Sequence, residues 1–145
     1  MERAWNQLGQ LPAIEQTHAN VGFRVAWRAF KLRMHLEQMN ATCPPVVTDY
    51  YVRGRPLVCE FGSEAVPSYC EFWPETELQR YNDEYEVPIY APGYFAFASD
   101  GGGEIYAVSE TGSVVRLPCI GMAPDVALLI ATTWEDFESA LRPAE

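Results

Sequence analysis

Only two histidines, His18 and His35, occur in the 145 residues. Neither sits beside a Gly-x-Ser-x-Gly string or a catalytic-cysteine context, so triad-type hydrolysis has no recognisable base. Cysteine is equally sparse in pattern: Cys43, Cys59, Cys70 and Cys119 form no Cys-x-x-Cys pair and no Cys/His cluster. That excludes the usual zinc spacings and a secreted disulfide scaffold, and free buried thiols are expected. No apolar run approaches the roughly 18 residues of a membrane span. The opening Met1-Glu2-Arg3-Ala4-Trp5-Asn6-Gln7 lacks the basic start and apolar stretch of a signal peptide, so a cytoplasmic location and no membrane partner are expected. Basic residues are the last shortage, ten against twenty acids.

What is present is enough for an ordinary fold. Hydrophobic residues make up 48% of the chain and aromatics 13%, and the length suits one domain with its own core. The charge is divided. Residues 1–59 hold seven of the ten basic groups and four acids, about +3, whereas residues 60–145 hold sixteen acids against Arg80, Arg116 and Arg142, about −13. Such a surface repels a phosphate backbone and attracts a basic protein, although acids also serve plain solubility.

Along the chain, residues 21–39 carry both helical and alternating spacings and lean towards helix. Val46 to Val52 and Leu57 to Phe61, rich in β-branched and aromatic residues, read as a hairpin joined by Arg53-Gly54-Arg55-Pro56. Pro74 and the acids after it predict a short helix from about Glu75 to Glu84. Pro88 and Ala91-Pro92-Gly93 break the chain. Tyr94–Ala98, Glu104–Val108 and Ser113–Leu117 then predict an antiparallel meander. Thr132 and Glu135 have capping-box spacing ahead of a terminal helix of two to three turns. Strands in runs with helices around them indicate an α+β fold: one domain, with a central, mostly antiparallel sheet.

Two constellations invite chemistry. Gly101-Gly102-Gly103 is flanked by Asp100 and Glu104, lacks a following Lys or Ser/Thr, and precedes a strand; a bent turn explains it better than a phosphate cradle. Asp83, Glu84, Glu86, Asp100 and Glu104 could supply an acid–base pair. In so acidic a chain a solvated face is the commoner explanation, and the ligand spacing of a calcium loop is missing. No catalytic residue, metal or cofactor is expected. The aromatics Phe72, Trp73, Tyr81, Tyr85, Tyr90, Tyr94, Phe95 and Phe97 read as core with some in a protein interface, since interleaved acids oppose nucleic acid.

The order Glu77-Leu78-Gln79-Arg80-Tyr81-Asn82-Asp83-Glu84-Tyr85-Glu86-Val87, then Ala91-Pro92-Gly93-Tyr94-Phe95, then Ala98-Ser99-Asp100-Gly101-Gly102-Gly103-Glu104 resembles the SUKH superfamily. The later Leu117-Pro118, Ile120-Gly121-Met122 and Thr133-Trp134-Glu135-Asp136-Phe137 are similar to what that family places after its central hairpin. The resemblance spans residues 74–141, while residues 1–70 diverge from the family pattern. It implies a single α+β domain used in bacteria mainly as an immunity protein that binds and neutralises a toxin, with fungal relatives that regulate cell-wall synthesis. The expected partner is therefore a basic toxin domain, for instance a nuclease. Glu75, Glu77, Asp83, Glu84 and Glu86 are its candidate contacts, and Asp100 to Glu104 form a structural turn. A scaffold or regulatory module is the alternative, and a small hydrolase using the acidic cluster is a third reading.

Overall fold

In a computed structural model, residues 42–63 and 66–144 are described, together with Ala26. Seven strands form one antiparallel sheet: β1 Val58–Ser63, β2 Val66–Phe72, β3 Tyr94–Ser99, β4 Glu104–Ser109, β5 Val114–Pro118, β6 Leu128–Ala131 and β7 Arg142–Pro143. The order across the sheet is β6-β5-β4-β3-β2-β1-β7, so six strands pair in chain order and the seventh returns to the far edge beside β1. Four helices accompany it among the described residues: α1 Pro45–Val52, α2 Leu78–Glu84, α3 Val87–Tyr90 and α4 Trp134–Ala140. The architecture is α+β, as expected from the strand runs.

β3 and β4 occupy the centre, and the four inner residues of each are buried. That is why both read as continuous apolar runs instead of alternating ones. One side of this centre carries an aromatic cluster. Tyr50 of α1 stacks on Phe72 at 4.3 Å and meets Trp134 of α4 edge-on, while Phe137 meets Phe61 and Phe97. Burial of the Tyr106 hydroxyl, which donates to Tyr69 O at 3.0 Å, pushes its pKa up to about 12. Aromatic pairs of this kind add about 0.5–1.5 kcal/mol beyond area burial.

Asn82 shapes the junction between sheet and helix. The β3–β4 register slips between Ala96 and Ala98. β2 reaches β3 only through Glu71↔Ser99 and Phe72↔Ala98, with Trp73 N donating to Phe97 O. Pro74 then turns the chain away, and the fully buried Asn82 of α2 takes over. Its Nδ2 donates to Ala96 O and its Oδ1 accepts from Ala96 N, both at 2.8 Å. The side-chain amide thus imitates the peptide of a neighbouring strand, satisfying backbone groups that would otherwise be buried without partners.

Three expectations need correction. Residues 46–52 are helix, not strand, because Pro44-Pro45 opens a helical turn and Val47 and Tyr50, three apart, bury one face. The strand partner of β1 is β2, which follows it. Pro88 lies in the first turn of α3 rather than ending structure there. The cap of α4 is Thr133, whose side-chain oxygen accepts from Asp136 N at 3.1 Å, in place of the Thr132–Glu135 pair. The 21–39 stretch, apart from the helical Ala26, lies outside the described residues, as do His18 and His35.

Candidate functional site

The chain leaves β2 at Trp73, makes a 3-10 turn at Glu75–Glu77, and continues as α2. α2 and α3 are separated by Glu86, whose backbone is left-handed at φ +53, the one non-glycine residue with positive φ among those described. A left-handed conformation costs a non-glycine residue roughly 1–2 kcal/mol. It turns the two helices sharply and sets Glu84, Tyr85, Glu86 and Tyr90 along one wall of a groove. The opposite wall is the loop after β5, Cys119, Ile120, Gly121 and Met122, and the space between is about 590 Å³.

The groove is lined by apolar and acidic side chains together. Met122 is buried, whereas Ile120 is 93% exposed and Tyr90 52% exposed. Tyr85 is braced from behind, its ring stacked within 7° of parallel on the buried Trp73, which also packs on Tyr81. The Tyr51 hydroxyl in turn donates to Trp73 O. An exposed aromatic held this way offers contact area with little ordering cost. Burial pushes the Cys119 thiol up, and the carboxylates of Asp100 and Glu104 add to that effect. Cys119 N donates to Gly103 O at 2.9 Å, so the glycine turn abuts the groove wall.

The five candidate contacts are not equivalent. Glu84 and Glu86 line the groove. Glu77 is ion-paired with Arg80 Nε, and Arg80 Nη1 stands 3.4 Å from Glu84, so a single guanidinium links these two acids and also lies over the Tyr81 ring. Asp83 accepts from Gln79 at 3.1 Å. Glu75 is exposed on the 3-10 turn, at the other end of this segment.

The glycine turn is closed by its own aspartate. Asp100 Oδ1 accepts from Gly102 N at 2.7 Å and from Glu104 N at 3.0 Å. Gly101 and Gly103 have φ of +76 and +110, and the second of these is open almost solely to glycine. Glu104 is occupied by Arg116 at 2.5 Å. With Asp100 engaged by backbone and Glu104 by a cation, this pair is committed to the turn.

Ile120 and Met122 figured in the sequence only within the resemblance and not as candidate contacts. The available signal was an isolated large aliphatic residue wedged between Pro118 and Gly121, where turn chemistry calls for polar side chains. Among the described residues no three His, Cys, Asp or Glu side chains converge in a metal-holding group, and no helix is long and apolar enough to cross a membrane. Compared with protein-family models and with curated proteins, the chain matches none.

Proposed function

We propose that the chain is a non-enzymatic protein-binding module that neutralises a bacterial toxin by docking the toxin's basic working surface against the groove between the α2–α3 turn and the loop after β5. The observation that carries this reading is the combination in one groove lining of exposed apolar groups, Ile120 and Tyr90, with the carboxylates of Glu84 and Glu86. Interface cores favour aromatics in well-packed pockets, and charged rims set encounter rate and partner choice. Glu77, through Arg80, and then Asp83 and Glu75 extend the acidic surface beyond the groove.

The backbone at Glu86 supports the same reading. Glycine would occupy φ +53 without strain, yet the position carries a carboxylate. Strain held at a residue that contributes a side chain to a groove fits a role for that side chain. The resemblance of residues 74–141 to the SUKH superfamily points to the same class of partner.

The test is affinity for a basic toxin domain recovered from the native host with the tagged chain as bait. Glu86→Gly should leave stability unchanged or raised while weakening binding. Glu84→Lys with Glu86→Lys, and separately Ile120→Asp, should each weaken it by about tenfold or more, roughly 1.4 kcal/mol. Unchanged affinity in all three folded variants would remove the groove from the interface. Recovery of wall-synthesis or housekeeping proteins alone would move the reading to a scaffold module.

A further inference from the structure

Cys59 of β1 and Cys70 of β2 are directly opposite one another in the antiparallel register. Both are buried free thiols. The type of pairing follows from the neighbouring hydrogen bond. Phe72 N donates to Leu57 O at 2.7 Å. Continued one residue beyond Val58↔Glu71, the register sets Leu57 opposite Phe72, and the pair two residues on, Cys59↔Cys70, is of the same hydrogen-bonded type.

Such pairs hold their Cα atoms about 5.5 Å apart, near the commonest Cα spacing of disulfides. Directly opposed residues project to the same face, here the face of the aromatic cluster that also holds Phe61 and Phe72, each two residues along from a cysteine. Their Cβ atoms stand about 4.5–5.5 Å apart and must close to about 4 Å for a sulfur–sulfur bond. A bond made this way is strained, and strained disulfides are the readily reduced ones.

We propose that Cys59 and Cys70 are a reversible cross-strand redox pair, closed by exchange with a low-molecular-weight disulfide such as oxidised glutathione. The Cys59 thiolate attacks one sulfur of the small disulfide, forming a mixed disulfide and releasing one thiolate. The Cys70 thiolate then attacks the Cys59 sulfur and releases the second. Two protein thiols are oxidised, one external disulfide is reduced to two thiols, and the two protons pass to solvent and the departing thiolates.

The order of the steps comes from the surroundings. Burial pushes both thiols up, but the Tyr50 hydroxyl, 3.6 Å from Cys59 Sγ, and the charge of Arg55 act against burial at Cys59, whereas the charge of Cys59 itself raises Cys70 further. Cys59 is therefore the better first nucleophile. Access runs through the edge: among the described residues β1 is covered there by the two residues of β7, with Ala144 N donating to Val58 O at 3.1 Å just beyond them. A local opening of this lightly held edge exposes β1 without unfolding the sheet.

The full chain is incubated folded with oxidised glutathione, in parallel with a dithiothreitol-treated sample, and non-reducing peptide mapping by mass spectrometry identifies the links. The expected result is one intramolecular bond between residues 59 and 70, opened again by dithiothreitol, with the oxidised form melting at higher temperature. The double variant Cys43→Ser/Cys119→Ser should keep the bond, and Cys70→Ala should retain glutathione on Cys59. Free thiols at 59 and 70 after oxidation, a bond formed only once denaturant is added, or pairing with Cys43 or Cys119 would each overturn the proposal.

Discussion

Asn82 illustrates how much one side chain carries here. It lies in a helix but bonds a strand, and its Nδ2 also donates to Leu78 O at 2.8 Å within its own helix. Asparagine suits the task because one amide offers both donor and acceptor in the spacing of a peptide. Replacing Asn82 with Ala leaves Ala96 N–H and C=O buried and unpaired, at about 1–3 kcal/mol for each group. Asn82→Asp should do at least as much harm, since a carboxylate keeps the acceptor and turns negative charge on two carbonyls. Denaturant unfolding of both variants against the parent checks this, and a loss under about 0.5 kcal/mol would mean that water enters to replace the amide. Nothing in the sequence marked the residue. Asn82 stands in a polar run, Gln79-Arg80-Tyr81-Asn82-Asp83, where an exposed position is the natural reading, and its partner is left open because β2 ends at Phe72.

Among the elements, the meander was legible and α1 was not, for a physical reason. β3, β4 and β5 carry apolar runs separated by glycine-containing turns, local signals that agree with the tertiary environment. Val46-Val47-Thr48-Asp49-Tyr50-Tyr51-Val52 is instead a segment of strong β propensity that packs as a helix, because Tyr50 can then stack on Phe72 while its hydroxyl reaches Pro56 O. Propensity is a weak prior against such packing. The helix expected from about Glu75 to Glu84 was legible, realised as a 3-10 turn followed by α2, but not as part of a groove wall, since the counterpart lies more than thirty residues on, at residues 119–122. The same helix α1 is tied to α4 by Arg53, which contacts Glu138 through Nη1 and Nη2 at 2.7 and 2.8 Å and Asp49 through Nε at 2.7 Å. The Arg53 hydrogen bonds, helped by the charges of Arg53 and Arg55 and by the Trp134 N–H, hold the Glu138 carboxyl below its ordinary 4.5 against the opposing effect of burial. A carboxyl lowered in the folded state stabilises the fold above its unfolded pKa and loses that contribution as pH falls through the lower folded value. Glu138→Gln should therefore cost about 1 kcal/mol at pH 7 after solvent screening. Its deficit should shrink as the pH is taken below 4 in parallel denaturant titrations; a deficit independent of pH would assign the loss to packing instead.

For the chain as a whole the net charge of −10 outweighs any single pair. The ion pairs among the described residues draw on Arg53, Arg55, Arg80 and Arg116, which satisfy Asp49, Glu77, Glu84, Glu104 and Glu138. Residues 60–145 nonetheless hold sixteen acids against three arginines, a sum of about −13, so carboxylates there outnumber the arginines of the same segment. Screening acts on both terms: it weakens the pairs, whose side chains are largely exposed and contribute little each, and it relieves a repulsion summed over many groups. Raising sodium chloride from 0.01 M to 0.15 M shortens the screening length from about 30 Å to about 8 Å, enough to quench repulsion across the acidic surface while leaving pairs in contact partly intact. The melting temperature of the free protein should accordingly rise by a few degrees. Chloride, unlike sulfate, keeps preferential exclusion from mimicking the effect. A fall with salt would show that the Arg53–Glu138 and Arg116–Glu104 pairs contribute more than the repulsion removes. A rise identifies an uncompensated negative surface, the state in which a basic partner gains most on approach and in which binding and added salt relieve the same strain.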